Sequence, residues 1–311
     1  MSGAAASGRS AGGALATIER ASAWLNSEPL TAEILGERIV LVDFWTYSCV
    51  NWLRTLPYLR AWHERYRDRG LTILGAHAPE FGFEHELGNV RAAIGELGVA
   101  YPVVIDNEFA IWRSFDNHYW PALYIVGRDG QIGFEHFGEG AYGDTERAIQ
   151  RLLGLEEELS DVEAAGRFEA ADWERLGSPE TYLGFARGDR RSDAPAGELA
   201  LNDWRLTGPW SAREESVDLQ DSPGSIVYRF QARDVNLVIA PPEGAGAVPF
   251  TVSLDGAAPG AEAGVDVEES GAGMLSEPRM YQLVHKRRGG TSTFEVTFLQ
   301  PGVRAYVFTF G

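Results

Sequence analysis

The segment RIVLVDFWTYSCVNWLRTLP, residues 38–57, joins an apolar run to an amphipathic run through a single cysteine, Cys49. Residues 38–45 have the composition of a strand that is buried on both faces of a sheet. From Cys49 to about Asp68 the pattern is that of a helix, which Gly70 ends. Its apolar stripe comprises Leu53, Leu56, Leu59, Trp62 and Tyr66. Cys49 is therefore predicted at the first turn of a helix, where unpaired N–H groups and the helix dipole favour a thiolate.

Strand-like and helix-like runs alternate along the first half of the chain. They predict strands over 71–78 and about 101–107, a helix over 89–98, a hairpin over 121–140 and a helix over about 145–153. Strands separated by helices indicate an α/β domain, in which a sheet with parallel members is covered on both faces.

The second half has a different rhythm. From about Glu198 to Gly311, short runs of alternating apolar and polar residues are separated by Gly, Pro and Asp turns. This spacing predicts an all-β antiparallel sandwich. The predicted organisation has four parts, namely a disordered N-terminus (1–22), the α/β domain (23–155), an acidic linker (156–197) and the sandwich (198–311).

Composition excludes several classes of function. The chain has 311 residues with 27 basic and 45 acidic side chains, and its net charge of −18 argues against nucleic acid and anionic membranes as partners. A single cysteine excludes an intramolecular disulfide and a cysteine-based metal cluster, and the six His show no metal-binding spacing. We therefore predict no metal and no cofactor.

Sequence features also give an expectation for the compartment. No apolar run is long enough to cross a bilayer, which predicts no membrane insertion. The first 22 residues are small and polar and lack the apolar core of a secretory signal. As encoded, the protein is expected to be cytoplasmic.

Two further features surround the cysteine. Asp43 lies inside the apolar strand run, where a carboxylate is unfavourable unless it has a partner or transfers protons. Trp120-Pro121 precedes a predicted strand, and a cis proline there would offer an extended edge to a bound peptide or thiol. We therefore predict Cys49 and Asp43 as catalytic residues. The predicted substrate-binding residues are Pro121, Trp120, Trp52 and Tyr47.

Several motifs together resemble a known family. VLVDFWTYSCVNWLRTLPYL (40–59), GAHAPEF (75–81), YPVVIDN (101–107) and YWPALYIVGRDG (119–130) resemble the thioredoxin-like domain of the TlpA and DipZ group. GSPETYLGFARG and the closing GVRAYVFTFG resemble the C-terminal module of DipZ-type proteins, a jelly-roll or carbohydrate-binding-module-like sandwich. The fold implied is a thioredoxin-like α/β domain followed by this antiparallel sandwich.

The resemblance also implies roles for individual residues. Cys49 matches the attacking cysteine of the group, Asp43 the buried acid beneath it, and Pro121 the cis proline. Glu80 matches an acid near the redox site. Members of the group work outside the cytoplasm, so the cell envelope is the alternative compartment.

Trp52 stands where the group has the second cysteine of its CxxC motif. Without that cysteine the chain has no internal thiol to release a mixed disulfide. The predicted function is thiol–disulfide exchange through one cysteine, with an external thiol as the resolving group. The predicted partners are a thiol- or disulfide-bearing protein or a low-molecular-weight thiol, and carbohydrate is a further candidate partner of the C-terminal domain. The alternative is a non-catalytic protein that binds a peptide or a glycan.

A one-cysteine peroxidase is the third prediction. Thr46 precedes Cys49 by three residues, as in the peroxiredoxin motif PxxxTxxC, but Val42 stands where that motif has proline.

Aromatic residues of the sandwich bear on the glycan alternative. Most aromatics in a small sandwich belong to its core. Trp204 and Trp210, in NDWRLTGPW between predicted strands, are the predicted glycan contacts.

Overall fold

The computed structural model describes residues 12–160, 162, 169–195, 198–287 and 289–311. The chain divides into two compact units, Met1–Phe168 and Glu169–Gly311. The first unit contains one sheet and the second contains two.

The first unit has a six-stranded sheet in the order β1-β4-β3-β2-β5-β6. Its strands are β1 (Ala23–Leu25), β2 (Ile39–Trp45), β3 (Leu71–His77), β4 (Val103–Ile105), β5 (Ala122–Val126) and β6 (Ile132–Phe137). Strands β2, β3 and β4 pair in parallel, whereas β5, β6 and β1 pair with their neighbours in antiparallel fashion. The prediction of a mixed α/β sheet is confirmed.

Six α-helices accompany this sheet in the described residues. They are α1 (Gly12–Thr17), α2 (Ala32–Gly36), α3 (Val50–Tyr66), α4 (Leu87–Leu97), α5 (Ala110–Ser114) and α6 (Tyr142–Leu153). Every residue of β2 is buried, as its continuous apolar run predicts, although Asp43 lies in its middle. The predicted helix after Cys49 is confirmed as α3, and it contains Pro57.

The N-terminus differs from the prediction. The part of the predicted disordered segment before residue 12 lies outside the described residues. From residue 12 onward the prediction is wrong, because α1 and a 3-10 helix (Ile18–Arg20) pack Leu15 and Ile18 into the core of the first unit. These apolar residues are too few and too widely spaced among Ala and Gly for a sequence pattern to reveal the helix.

The second unit contains two antiparallel sheets, with orders β15-β12-β17-β10-β9 and β14-β13-β16-β11-β8, and β7 adds to β17. Its strands are β7 (Thr181–Tyr182), β8 (Trp204–Thr207), β9 (Trp210–Ala212), β10 (Val217–Leu219), β11 (Gly224–Gln231), β12 (Asp234–Ala240), β13 (Val248–Leu254), β14 (Ala272–Leu275), β15 (Arg279–His285), β16 (Thr291–Phe298) and β17 (Arg304–Phe310). Both sheets contribute to one apolar core, which includes Tyr228, Phe250, Phe294 and Phe308. The predicted all-β sandwich is confirmed.

The sandwich begins earlier in the chain than residue 198. Thr181 and Tyr182, inside the predicted linker, pair with Phe308 and Val307 of β17. This two-residue strand is too short to give an alternating pattern, so the sequence did not indicate it. Residues 161, 163–168 and 196–197 of the predicted linker lie outside the described residues.

Candidate active site

Cys49 is the residue that immediately precedes α3. Its backbone is extended (φ −76°, ψ 114°), and its carbonyl accepts the N–H of Leu53 at 3.0 Å, so it is the N-cap of the helix. The side chain is partly exposed. The predicted position of the thiol at a helix N-terminus is therefore confirmed, and the residue is within reach of solvent.

Trp52 lies in the first turn of α3 and is fully buried. Its indole N–H donates a hydrogen bond of 3.0 Å to Oδ2 of Asp43, and its ring stacks on Trp45 with centroids 4.2 Å apart. The indole thus belongs to the core between the helix and β2. The prediction that Trp52 contacts substrate is wrong, because no part of its side chain reaches the surface.

The Asp43 carboxyl is equally buried. Its Oδ2 accepts the bond from Trp52 and a longer one, 3.4 Å, from the Tyr101 hydroxyl, while Oδ1 has no hydrogen-bond partner within the described residues. Burial raises the pKa of Asp43 to about 7, although the bonds from Trp52 and Tyr101 lower it. A carboxyl in this environment is close to its titration point at neutral pH.

Gly75 makes room for this arrangement. It pairs with Asp43 across β2 and β3, and a Cβ atom at this position would lie 2.8 Å from Nε1 of Trp45 and 3.1 Å from the Tyr101 ring. A side chain here would displace Tyr101, which donates to Asp43, and Trp45, which stacks on Trp52.

Tyr47 and His77 form a buried aromatic pair at the reactive loop, which we define as residues 46–49 between β2 and α3. Their rings stack with centroids 5.9 Å apart, and His77 also meets the edge of Trp45 at 4.9 Å. Burial lowers the pKa of His77 to about 3, so its ring is neutral at neutral pH. Tyr47 is 5% exposed, and its contact with substrate stays a prediction.

Glu84 is a functional candidate that the sequence pattern did not single out. It is fully buried, and its Oε1 accepts the Ser48 hydroxyl at 2.6 Å, which places a carboxyl one residue from Cys49. Its Oε2 accepts the backbone N–H groups of Glu80 at 2.6 Å and Phe81 at 3.0 Å. A glutamate that bonds back to the N-cap of its own short helix (Gly82–His85) was the only available signal.

Glu80, which the family resemblance proposed as the acid near the site, is partly exposed. Its backbone N–H donates to Oε2 of Glu84. Its predicted role near the thiol stays a prediction.

Pro121 is preceded by a cis peptide bond, as the resemblance implies. Phe44 pairs with Ala122, so Pro121 lies at the end of β2 from which the reactive loop departs. Trp120 is partly buried, and its indole N–H donates to the Ala78 carbonyl at 3.0 Å. Contact of either residue with substrate remains a prediction.

A loop after β6 lies beside Pro121. The N–H of Gly138 donates to the Pro121 carbonyl at 2.8 Å, and the next residue, Glu139, forms a 3.0 Å ion pair with Arg54 of α3. Both charged side chains are almost completely buried. The Arg54–Glu139 pair therefore connects α3 to the loop that contacts Pro121.

The two tryptophans that are predicted glycan contacts, Trp204 and Trp210, differ in burial. Trp204 is 1% exposed and its indole N–H donates to the Asp189 carbonyl at 2.7 Å, so the prediction that it binds glycan is wrong. Trp210 is partly buried, packs against the sandwich core and meets Phe298 edge-on at 6.0 Å. Alternating patterns do not reveal which face of an edge strand is covered, and this is why the core position of Trp204 was missed.

The described residues contain neither a membrane-spanning helix nor a cluster of metal ligands. No helix there is both long enough and apolar enough to cross a bilayer. In the same ranges, no three His, Cys, Asp or Glu side chains come together as metal ligands.

Comparison with known proteins gives matches in both units. Residues 178–311 match the family described as "Thioredoxin like C-terminal domain". The chain is 30% identical over 305 residues to protein DipZ of Mycobacterium bovis, which covers 93% of this chain and 41% of DipZ. The chain therefore spans about two fifths of the length of that relative.

The first unit has matches of its own. It is 29% identical over 133 residues to the thiol-disulfide oxidoreductase YkuV of Bacillus subtilis, which covers 42% of this chain and 88% of YkuV. A solution structure described as a thioredoxin-like protein in the oxidized form is 26% identical and covers 43% of this chain and 89% of its own, with a TM-score of 0.40.

Proposed function

The chain is a thioredoxin-like protein of the TlpA/DipZ type, related to thiol-disulfide oxidoreductases, and from that premise we propose that it exchanges disulfides through Cys49 alone. The observation that carries this proposal is the placement of the thiol. Cys49 is partly exposed at the N-terminus of a 17-residue helix, while Trp52 is turned into the core. The N-terminus of a helix favours a thiolate, which is the reactive form of cysteine.

The reaction divides into steps that need an external thiol. The Cys49 thiolate attacks one sulfur of a substrate disulfide, so that a new S–S bond forms, the substrate S–S bond breaks, and the other sulfur leaves as a thiolate. A first external thiol then attacks the Cys49 mixed disulfide at the Cys49 sulfur and releases the remaining half of the substrate. A second external thiol attacks the sulfur of the first one in this new mixed disulfide. The Cys49 thiolate is thereby released, and the two external thiols leave as a disulfide. Two electrons pass from the external thiols to the substrate.

The partners follow from this scheme. The substrate is a disulfide-bearing protein or a small disulfide, and the resolving group is a protein thiol or a low-molecular-weight thiol. The Pro121 edge and the loop at Gly138 are the proposed surface for an extended substrate segment, because Pro121 lies at the end of β2 from which the reactive loop departs and Gly138 is hydrogen-bonded to Pro121.

Turnover of a mixed disulfide tests the proposal. The wild-type protein is given a fluorescent peptide that is disulfide-linked to glutathione, together with excess reduced glutathione, and peptide release is followed with time. We expect release above the uncatalysed rate, and loss of that excess in Cys49→Ser. Equal rates for the two proteins would exclude exchange through Cys49.

The same preparation distinguishes the alternatives. A non-catalytic binding protein would bind the peptide and leave its release at the uncatalysed rate, equally in wild type and Cys49→Ser. A one-cysteine peroxidase would consume hydrogen peroxide in a Cys49-dependent manner and also leave peptide release at the uncatalysed rate.

A further inference from the structure

Glu84 connects two segments that surround Cys49. One carboxylate oxygen bonds to Ser48 in the reactive loop, and the other bonds to the backbone of the loop after β3, at Glu80 and Phe81. All three donors point at a single buried carboxyl. Because Ser48 is the immediate neighbour of Cys49, this bridge fixes the backbone from which the thiol projects.

The two buried carboxyls of the site are not equivalent. Asp43 is bonded to Trp52 and Tyr101, which are core side chains, and has no hydrogen bond to the reactive loop among the described residues. Glu84 is bonded to the loop itself. Of the two, Glu84 is the acid that is directly connected to the segment that carries the thiol.

We infer that Glu84, acting through Ser48, is the positioning residue that sets the pH dependence of Cys49 reactivity. The bridge to Ser48 holds the reactive loop in place, and the ionised carboxylate opposes formation of a second negative charge on the thiol of the next residue. This inference rests on the proposed role of Cys49 as the nucleophile.

The surroundings of Glu84 support a change of charge near neutrality. Burial raises the pKa of Glu84 to about 7, the hydrogen bond from Ser48 lowers it, and the charge of Glu80 raises it. The other ionisable groups on the adjoining segments are Asp43, Tyr47, His77, His85 and Glu86. His77 is neutral because burial depresses its pKa to about 3, with His85 contributing in the same direction.

Alkylation of Cys49 as a function of pH tests the inference. The rate of reaction with iodoacetamide is measured from pH 5 to pH 10 in wild type and in Glu84→Gln, which keeps hydrogen-bonding groups at the position and removes the charge. We expect the midpoint of the profile to move to lower pH by about half a unit to one unit. Glu86→Gln, an exposed acid in the same loop, is the matched control and should leave the midpoint in place.

The result of the alkylation experiment can be distinguished from the result of the test of the proposed function. Alkylation reports the thiolate whether or not Cys49 exchanges disulfides, so a shifted profile without peptide turnover would support the role of Glu84 and reject the exchange. A folded Glu84→Gln variant with an unchanged midpoint would overturn the inference.

A measurement on the unaltered acid covers the case in which Glu84→Gln does not fold. The ¹³C signal of the Glu84 carboxyl is followed through a pH titration in wild type and in Cys49→Ser. Coupled groups perturb each other reciprocally, so the wild-type curve should have a second inflection at the pH at which the thiol ionises. A second inflection that is also present in Cys49→Ser, or that is absent from both proteins, would contradict the inference.

Discussion

The indole N–H of Trp52 donates a 3.0 Å hydrogen bond to the buried carboxyl of Asp43. In CxxC members of the group, the Trp52 position holds the second redox cysteine. Here the same position supplies a hydrogen-bond donor to the acid beneath the site and an aromatic ring for Trp45. In this chain Trp52 therefore makes a structural contact in the core, and Cys49 lies at the helix N-terminus.

The first prediction concerns that contact. Trp52→Phe removes the indole N–H and leaves Asp43 with one donor fewer. We expect the free energy of unfolding to fall by about 1–3 kcal/mol, the usual effect of an unsatisfied buried polar group. The loss should be larger at pH 8 than at pH 5, since the bond from Trp52 stabilises the ionised form of Asp43. Denaturant unfolding at the two pH values measures both effects.

Trp45→Phe is the matched control for Trp52→Phe. Trp45 is a fully buried indole in the same stack, but its Nε1 has no hydrogen-bond partner in the described ranges. Replacement of Trp45 should lower the free energy of unfolding by the same amount at pH 5 and at pH 8. A pH-dependent loss in both variants would show that the Trp52–Asp43 bond is not the cause.

The second prediction is a pH dependence of stability. Asp43 has a folded-state pKa of about 7 against a reference value of 3.8. The folded protein therefore holds a proton that the unfolded chain has lost between these values, and this contribution to stability declines as the pH rises from about 4 to about 7. Asp43→Asn removes this contribution to the pH dependence of stability.

Comparison of wild type with Asp43→Asn isolates the contribution of Asp43 to the pH dependence of stability. The contributions of Glu84 and His77 are present in both proteins and cancel. The stability of Asp43→Asn relative to wild type should increase by on the order of 1 kcal/mol per pH unit between about pH 4 and pH 7. A constant difference across that range would mean that Asp43 is ionised throughout, contrary to its burial.

A third prediction restores the missing cysteine. Trp52→Cys should give a protein in which Cys49 and the introduced thiol form a disulfide after oxidation, because the two positions lie at the N-cap and in the first turn of α3. It should also be less stable by about 3–5 kcal/mol in its reduced form, as for other buried tryptophans replaced by small residues. Insulin reduction and unfolding measurements check the two effects. A stable variant that forms no disulfide after oxidation would show that the side chains at positions 49 and 52 are not placed to form one.

The fourth prediction concerns the loop beside Pro121. Arg54→Met leaves Glu139 buried without its cation, and we expect a loss of about 3–5 kcal/mol in the free energy of unfolding, as for other broken buried ion pairs. Arg54→Met combined with Glu139→Leu should recover most of that loss. Arg147→Met, which breaks an exposed pair with Asp144, is the control and should have no measurable effect. Equal effects of Arg54→Met and Arg147→Met on the free energy of unfolding would contradict the assignment of Arg54–Glu139 as a buried ion pair.

Much of the first unit was predictable because its elements are long and periodic. The apolar run of β2, the helical stripe of α3 and the position of Cys49 between them follow from residues 38–68 alone. The cis bond before Pro121 came from the family resemblance and is present.

The parts that were missed depend on contacts between distant segments. Ser48 and Glu84 are 36 positions apart and meet only because the reactive loop and the loop after β3 lie at the same end of adjacent parallel strands. Trp52 and Trp204 are buried because a carboxyl and a carbonyl accept their N–H groups inside the fold. A local pattern contains neither kind of information.

Reaction of Cys49 with glutathione disulfide is the most direct test of the central claim, that one thiol at the start of α3 is ionised and accessible. Mass spectrometry follows the mixed disulfide in the folded protein and in the denatured chain at the same neutral pH. We predict that the folded protein forms a one-to-one adduct faster than the denatured chain, and that added thiol reverses it. A folded protein that stays unmodified while the denatured chain reacts would contradict the claim.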